Sequence, residues 1–293
     1  MRLIDARIRL PFEYRKMGEE EQLNFYAKYN EVLHVGTTTT KTTETLLEEM
    51  DEAGVTHGVV HAEFEFGENA NQLNQAVAQV VEDHRDRFKG FGTVQLDDPR
   101  PMKLVKQAQE IKQLGLIGIN LQPVFFDIDP LDRRLYPLYS VAHELGLILS
   151  FHTGVHYSTA HPFQKNSPMF IDQIAVDFPG IKIIACHSGW PWTNEMVAIA
   201  RRHANVYLEF GGVAPKYIAK NGTGWEPIFS TLNSLLSKQI LFGTDWPVIS
   251  MERAKKEWLR MGLQEKTIDN LFSDNSSRLF GFESTDRGGE KNL

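Results

Sequence analysis

The chain has 293 residues, 42% of them hydrophobic and 24% charged, which is ordinary globular composition. Its formal net charge is −7, from 31 Lys and Arg against 38 Asp and Glu, and no basic stripe appears, which argues against nucleic acid as a partner. No apolar run approaches the ~20 residues of a membrane-spanning helix. The start, Met1-Arg-Leu-Ile-Asp-Ala, lacks the basic-then-apolar pattern of a leader, and the single Cys186 can form no intrachain disulfide, so a cytoplasmic protein is expected.

Apolar strand-like runs alternate with amphipathic stretches from end to end. The pattern predicts a first strand over Arg2–Leu10 and then a polar, irregular segment from Pro11 to Val35. A helix opens at Thr43, carries apolar residues three and four apart, and ends at Gly54. His57–Glu63 reads as a second strand, Asn69–Asp83 as a helix, and Phe88–Val94 as a third strand. A helix over Met102–Leu114 and a fourth strand over Gly118–Gln122 follow. The helix Leu131–Glu144 stops at Gly146, before a fifth strand, Leu147–Phe151, that runs into His152-Thr-Gly.

A helix over Met169–Asp177 ends at Phe178-Pro-Gly, before a sixth strand, Ile181–Cys186, that runs into His187-Ser-Gly. Thr193–Arg202 is a helix and Val206–Phe210 a seventh strand. After an insertion, an eighth strand, Gln239–Thr244, runs into Asp245-Trp-Pro. Two helices, about Glu252–Arg260 and Thr267–Phe280, fill a C-terminal part near 252–282, and residues 283–293 form a polar tail. No repeat, linker or domain boundary interrupts the alternation, so one domain over residues 1–293 is expected.

Eight strands alternating with helices predict an α/β fold, a (β/α)8 TIM barrel. An open doubly wound sheet fits less well, because no glycine-rich phosphate loop follows the first strand. His152, His187 and Asp245 each close an apolar strand, with spacings of 35 and 58 residues that leave room for helices between. Polar residues at the C-terminal ends of barrel strands are where this fold places its chemistry. Two histidines and a carboxylate so placed point to a metal site or an acid/base site. Cys186, inside an apolar strand, reads as a small buried residue rather than a catalytic thiol.

His152-Thr-Gly, Ala185-Cys-His187-Ser-Gly and Phe242-Gly-Thr-Asp245-Trp-Pro resemble strands five, six and eight of the amidohydrolase-related family. Leu3-Ile-Asp-Ala and Asn275-Ser-Ser-Arg-Leu-Phe-Gly-Phe resemble its two ends, so the likeness spans essentially the whole chain. The family includes TIM barrels of the aminocarboxymuconate-semialdehyde decarboxylase, resorcylate-type decarboxylase and dicarboxylate lactonase types. The resemblance implies one divalent metal on a strand-one His-x-His pair, His152 and Asp245, with His187 as an acid or polarising group. Strand one departs from that pattern, since Asp5-Ala-Arg7-Ile-Arg9 stands where the family carries Asp-x-His-x-His. Arginine is always protonated and offers donors but no lone pair.

Strand alternation places Arg7 and Arg9 on one side, where they replace a metal and clamp a carboxylate or developing oxyanion in bidentate geometry; the other reading leaves them exposed or paired with acidic neighbours in an inactive relic. No metal is favoured; were one bound, such as zinc, its ligands would be His152, Asp245 and His187. The expected enzyme is a hydrolase acting without metal on a small carboxylated lactone or ester. Asp245 either pairs with Arg7 or is the general base for the attacking water, and His187 and His152 assist by hydrogen bonding. Arg7, Arg9, Asn120, Gln122, Tyr157 and Trp190 are the expected substrate contacts. A decarboxylase of a small aromatic or unsaturated acid is the alternative, and a non-catalytic barrel that binds small anions is the alternative of another class. His61 and Glu63 share one side of strand two, as a hydrogen-bonded pair or as site residues. No membrane partner is expected, and self-association stays open.

Overall fold

A computed structural model describes residues 2–14, 41–65, 68–156 and 161–282. Eight parallel strands lie in the order β1-β2-β3-β4-β5-β6-β7-β8. They are β1 (Ile4–Arg9), β2 (His57–His61), β3 (Phe88–Gly92), β4 (Gly118–Leu121), β5 (Ile148–His152), β6 (Ile183–Cys186), β7 (Val206–Glu209) and β8 (Ile240–Leu241). The sheet closes on itself. Ala6 N–H donates to Phe242 O at 2.8 Å, Asp245 N–H to Arg7 O at 2.9 Å, and Arg9 N–H to Trp246 O at 3.0 Å. Parallel strands joined by helical crossovers and closed in this way form the (β/α)8 barrel expected from sequence.

The connecting helices include α1 (Thr43–Ala53), α2 (Ala70–Asp83), α3 (Pro101–Gln113), α4 (Tyr136–Glu144), α5 (Met169–Asp177) and α6 (Thr193–Arg202). The insertion between β7 and β8 carries the short α7 (Glu226–Phe229). Thr42 accepts from Thr45 N and starts α1, while Gly54 ends it in the left-handed region. Asn69 caps α2 in the same way, through Gln72 N.

The helix expected over Leu131–Glu144 begins only at Tyr136. Asp129 Oδ1 accepts from Leu131 N at 2.8 Å and Asp132 Oδ1 from Arg134 N at 2.8 Å. These side chains offer the backbone turns instead of helix. The helix expected over Thr267–Phe280 is instead α9 (Glu265–Asp269) and α10 (Asn275–Phe280), joined by a π-helical turn at Asn270–Asp274. The preceding α8 spans Met251–Leu259. No helix among the described residues is long and apolar enough to cross a membrane. The polar tail and most of the segment from Pro11 to Val35 lie outside the described residues.

Alternation sorts the strands into two faces. Val60, Ile119, Leu149, Ile183, Leu208 and Ile240 pack outward in the cluster that includes the helices. Ile4, Ala6, Val59, Phe91, Ile148, Ile184, Tyr207 and Leu241 form a second cluster inside the barrel, together with Leu279, Phe280 and Phe282 from α10 and beyond. The barrel's lower half is thus an apolar plug.

Strand β1 breaks its own alternation. Asp5 pairs with Gly58 and Ile8 with Val60, so three steps along β1 match two along β2. That is a bulge, and a bulge re-aims side chains. Below it Ile4 and Ala6 join the interior cluster; above it Ile8 joins the outer one. Arg7 and Arg9 are left pointing into the upper barrel.

Candidate active site at the barrel mouth

The upper barrel is a charged layer. Arg7 is fully buried; its Nε donates to Asp245 Oδ1 at 2.9 Å, and NH2 to Glu63 Oε1 at 2.8 Å. NH1 faces Cys186 Sγ at 3.1 Å and Asn120 Oδ1 at 3.4 Å. Arg9 is 3% exposed. It holds Asp245 with two donors, Nε to Oδ1 and NH2 to Oδ2, each at 3.1 Å, and its NH1 meets Glu65 Oε1 at 3.1 Å. Desolvation of such charges is offset only where every partner is in place.

Both arginines therefore bind protein carboxylates. The expected substrate clamp changes for Arg7, which has no exposed surface and lies beneath the cavity. Arg9 reaches the cavity lining, already paired to Asp245 and Glu65. Asn120 and Gln122 also turn into the charged layer. Asn120 Nδ2 donates to Ala62 O at 2.9 Å, and Gln122 Nε2 to Glu63 Oε2 at 2.5 Å. Neither belongs to the cavity lining. Glu63 and His61 do not bond each other: Glu63 serves Arg7 and Gln122, and His61 Nε2 donates to Ala6 O at 3.0 Å.

Asp245 was expected either as the base or as the partner of Arg7. Burial works to raise its pKa, but Arg9 and Arg7 outweigh burial and hold it well below the usual carboxylate range. Both of its oxygens accept from guanidinium groups, so it anchors the arginines. Glu63 is lowered for the same reason, Arg7 and then Arg9 overcoming burial. Cys186 is pushed up to about 12 by burial and stays a thiol.

A cavity of about 710 Å³ opens above this layer. His152, His187, Arg9 and Asp245 lie in its lining, with Trp190 and Trp225 as aromatic walls. Tyr157, expected to contact substrate, lies outside the described residues. The rings of His152 and His187 are 4.6 Å apart.

The two histidines present opposite faces. His187 Nδ1 lies 2.6 Å from Gly211 O, and a carbonyl only accepts, so Nδ1 carries the proton and Nε2 keeps a lone pair. His152 Nδ1 lies 2.8 Å from Asn166 Nδ2, which donates, so the His152 proton sits on Nε2. Burial, helped by Arg7, lowers His187 to about 4. Burial and then His187 lower His152 well below the usual imidazole range. Both rings are neutral at pH 7.

Two backbone positions hold this geometry under strain. His187 has φ 61 and Asp245 φ 55, in the left-handed region that side chains other than glycine enter at a cost.

Glu209, at the end of β7, was not singled out in the sequence. It is 1% exposed, its Oε1 accepts from Gly211 N, and its backbone O accepts from Ser188 Oγ at 2.9 Å. Gly211 orients His187 and Ser188 follows it, so Glu209 grips that histidine from two sides. A Cβ at Gly243 would collide with the Glu209 carboxylate. Burial, offset in part by Arg7, pushes Glu209 to about 8. Its Oε2 has no hydrogen-bond partner among the described residues. The available signal was a carboxylate closing an apolar strand, the same one that marks Asp245. Glu65 and Asn166 were likewise passed over; Glu65 is the next position after Glu63 on the same face.

These residues do not fit a divalent metal. Guanidinium groups occupy strand one, both Asp245 oxygens are taken, and His152 turns a proton rather than a lone pair outward. No group of three or more His, Cys, Asp or Glu among the described residues is arranged to hold one.

Residues 30–282 match the family model described as Amidohydrolase. The match starts after β1, so the strand bearing both arginines is outside it. No curated protein matches. Among solved structures, an uncharacterized TIM-barrel protein from Bordetella bronchiseptica is 26% identical with a TM-score of 0.78, covering 96% of this chain and 99% of that one. A probable 2-pyrone-4,6-dicarboxylic acid hydrolase from Acinetobacter baumannii, with citric acid bound, is 16% identical with a TM-score of 0.66, covering 96% and 100%. A 5-carboxyvanillate decarboxylase from Novosphingobium aromaticivorans, complexed with manganese and a nitrobenzoic acid, is 15% identical with a TM-score of 0.70, covering 96% of each chain.

Proposed function

The chain belongs to the amidohydrolase family, and from that premise we propose that it hydrolyses a small carboxylated ester or lactone without a metal. The observation that carries this reading is the pair of neutral histidines with opposite tautomers facing one cavity. One offers a lone pair and the other a proton, which are the two things carbonyl hydrolysis needs.

His187 Nε2 takes a proton from a water as its oxygen attacks the carbonyl carbon. The carbonyl π electrons move to oxygen, and the oxyanion accepts a hydrogen bond from His152 Nε2–H. When the tetrahedral intermediate collapses, the C–O bond to the leaving alkoxide breaks, and the alkoxide recovers the proton from His187. The Asp245 carboxylate raises the basicity of His187 and stabilises the imidazolium formed in between. Its part is therefore electrostatic, and Arg7 and Arg9 fix it in place. A decarboxylase would instead set a carboxylate against this layer, where the described carboxylates already outnumber the arginines.

The test is product analysis of the metal-stripped protein with aromatic and unsaturated lactones, esters and free acids that carry a second carboxylate. Ring opening or ester cleavage without release of carbon dioxide is expected. Carbon dioxide release from the acids, with the lactones and esters untouched, would replace this reading with the decarboxylase.

A further inference from the structure

The two ends of the cavity differ in charge. At its floor, among the described residues, the two guanidinium groups of Arg7 and Arg9 meet three carboxylates, Glu63, Glu65 and Asp245. Among the described residues Asp245 is the only carboxylate in the cavity lining, and both of its oxygens are committed. The floor therefore has no cationic excess to offer an anionic ligand.

The outer wall is the reverse. It carries Lys216 and Arg253, with Tyr217 and Thr223 beside them. Glu257 ties these two cations together without neutralising both. Its Oε2 accepts from the backbone N of Lys216 at 3.0 Å, and its Oε1 from Arg253 Nε at 2.9 Å. The Lys216 ammonium lies 5.0 Å from the centre of the Tyr217 ring, and no carboxylate among the described residues is within ion-pairing distance of it. Arg253 uses Nε on Glu257, and its forked end has no partner among the described residues, which leaves it for another acceptor.

We infer that Lys216 and Arg253 form a carboxylate subsite on the outer wall, so that the substrate binds with its carboxylate outward and its uncharged carbonyl inward at the histidines. The ligand class is a flat acid whose carboxylate stands at the far end from the reacting carbon. Trp190 and Trp225 supply the flat walls between. Trp190 is held in place by its Nε1–H, which donates to Thr223 O at 2.9 Å. A carboxylate at the outer wall gains two cations. At the floor it would have to displace Asp245 from Arg9, which leaves a buried charge unpaired. This orientation rests on the hydrolase reading for what lies at the inner end, but the subsite itself needs no turnover.

The probe is 3-acetylbenzoate, whose ketone stands in for the reacting carbonyl and cannot be hydrolysed. Its binding is compared by calorimetry with that of 3-acetylbenzamide and of isophthalate. Wild type is expected to bind 3-acetylbenzoate about tenfold tighter than the amide, the scale of a charge-assisted hydrogen bond. Isophthalate, which must turn a second carboxylate to the floor, is expected to bind more weakly than 3-acetylbenzoate. Lys216→Met should erase most of the preference for the acid, and Lys216→Glu should reverse it. Because Lys216 is exposed, both variants keep the fold, checked by their melting temperatures.

An unchanged acid preference in Lys216→Glu, tighter binding of isophthalate, or no binding of 3-acetylbenzoate to wild type would overturn the subsite. If the acid preference follows Lys216 while no ester or lactone is cleaved, the subsite stands and the hydrolase reading falls. If esters are cleaved but Lys216→Met binds the acid as wild type does, the reverse holds.

Discussion

Arg9 and Lys216 both line the cavity, yet their surroundings give them different work. Arg9 is buried against Asp245 and Glu65, and its charge is spent inside the protein. Lys216 is exposed and has no carboxylate partner among the described residues. The same contrast separates the floor from the histidine wall. On the floor each guanidinium nitrogen of Arg7 meets a protein acceptor, whereas His187 and His152 each bind the protein through one nitrogen and, among the described residues, leave the other for a ligand. Residue type alone does not distinguish a structural charge from a functional one; the count of partners already taken does.

The largest expected effect follows from removing one member of the floor. Arg7→Met leaves the buried Glu63 without its guanidinium partner and takes one of the two guanidinium partners of Asp245, a loss of about 3–5 kcal/mol. Lys216→Met, at the open end, should stay within about 0.5 kcal/mol of wild type. Urea denaturation of the two variants side by side measures the contrast, and equal stabilities would abolish it.

Turnover should sort the residues the other way. His187→Ala is expected to lower kcat by about 10²–10⁴-fold, the range for a lost general base. Its stability should stay near that of wild type, since it lies at the cavity and not in the plug. Steady-state kinetics on whichever ester or lactone the product analysis yields reads this directly. The pH profile sharpens it. With His187 near 4 and acting as a base, kcat/KM should hold level around neutrality and be lost as pH falls through about 4.

How much of this was legible in the sequence differs between the same regions. The barrel could be read because buried parallel strands are short apolar runs and the helices between them keep a 3.6-residue period. His152, His187 and Asp245 could be read because each interrupts that pattern at a strand end. The pairing of Arg7 with Asp245 was one of two roles open to that carboxylate, but Glu63 and Glu65 as the other partners could not be read, because nothing in one strand shows which neighbour its side chains meet across a closed barrel. The β1 bulge was also invisible, since the alternation of Arg7 and Arg9 with Ile8 looks regular in one strand and only the pairing to β2 reveals the extra residue. Lys216 sits in an insertion whose course no periodicity predicts.

Glu209 lies between the two regions and tests the boundary. Glu209→Ala should reduce kcat more than it alters KM, because it releases the backbone N–H of Gly211, whose carbonyl orients His187, whereas Glu209→Gln, which keeps an acceptor, should recover most of the rate. Its value near 8 lies above the ordinary 4.5, so folding takes up a proton between these values. Its contribution to stability is therefore complete below about pH 4.5 and declines as pH rises through about 8. Glu209→Gln should remove that slope from the pH dependence of the melting temperature, a smaller effect than those above.

The central claim is that paired guanidinium groups hold the floor in place of a metal while the histidines carry the chemistry. Elemental analysis of protein purified without added metal, with turnover measured before and after chelation, tests it most directly. Sub-stoichiometric zinc and manganese with turnover unchanged by chelator is the predicted result. One tightly held metal per chain, with turnover lost on chelation and restored on adding the metal back, would contradict it.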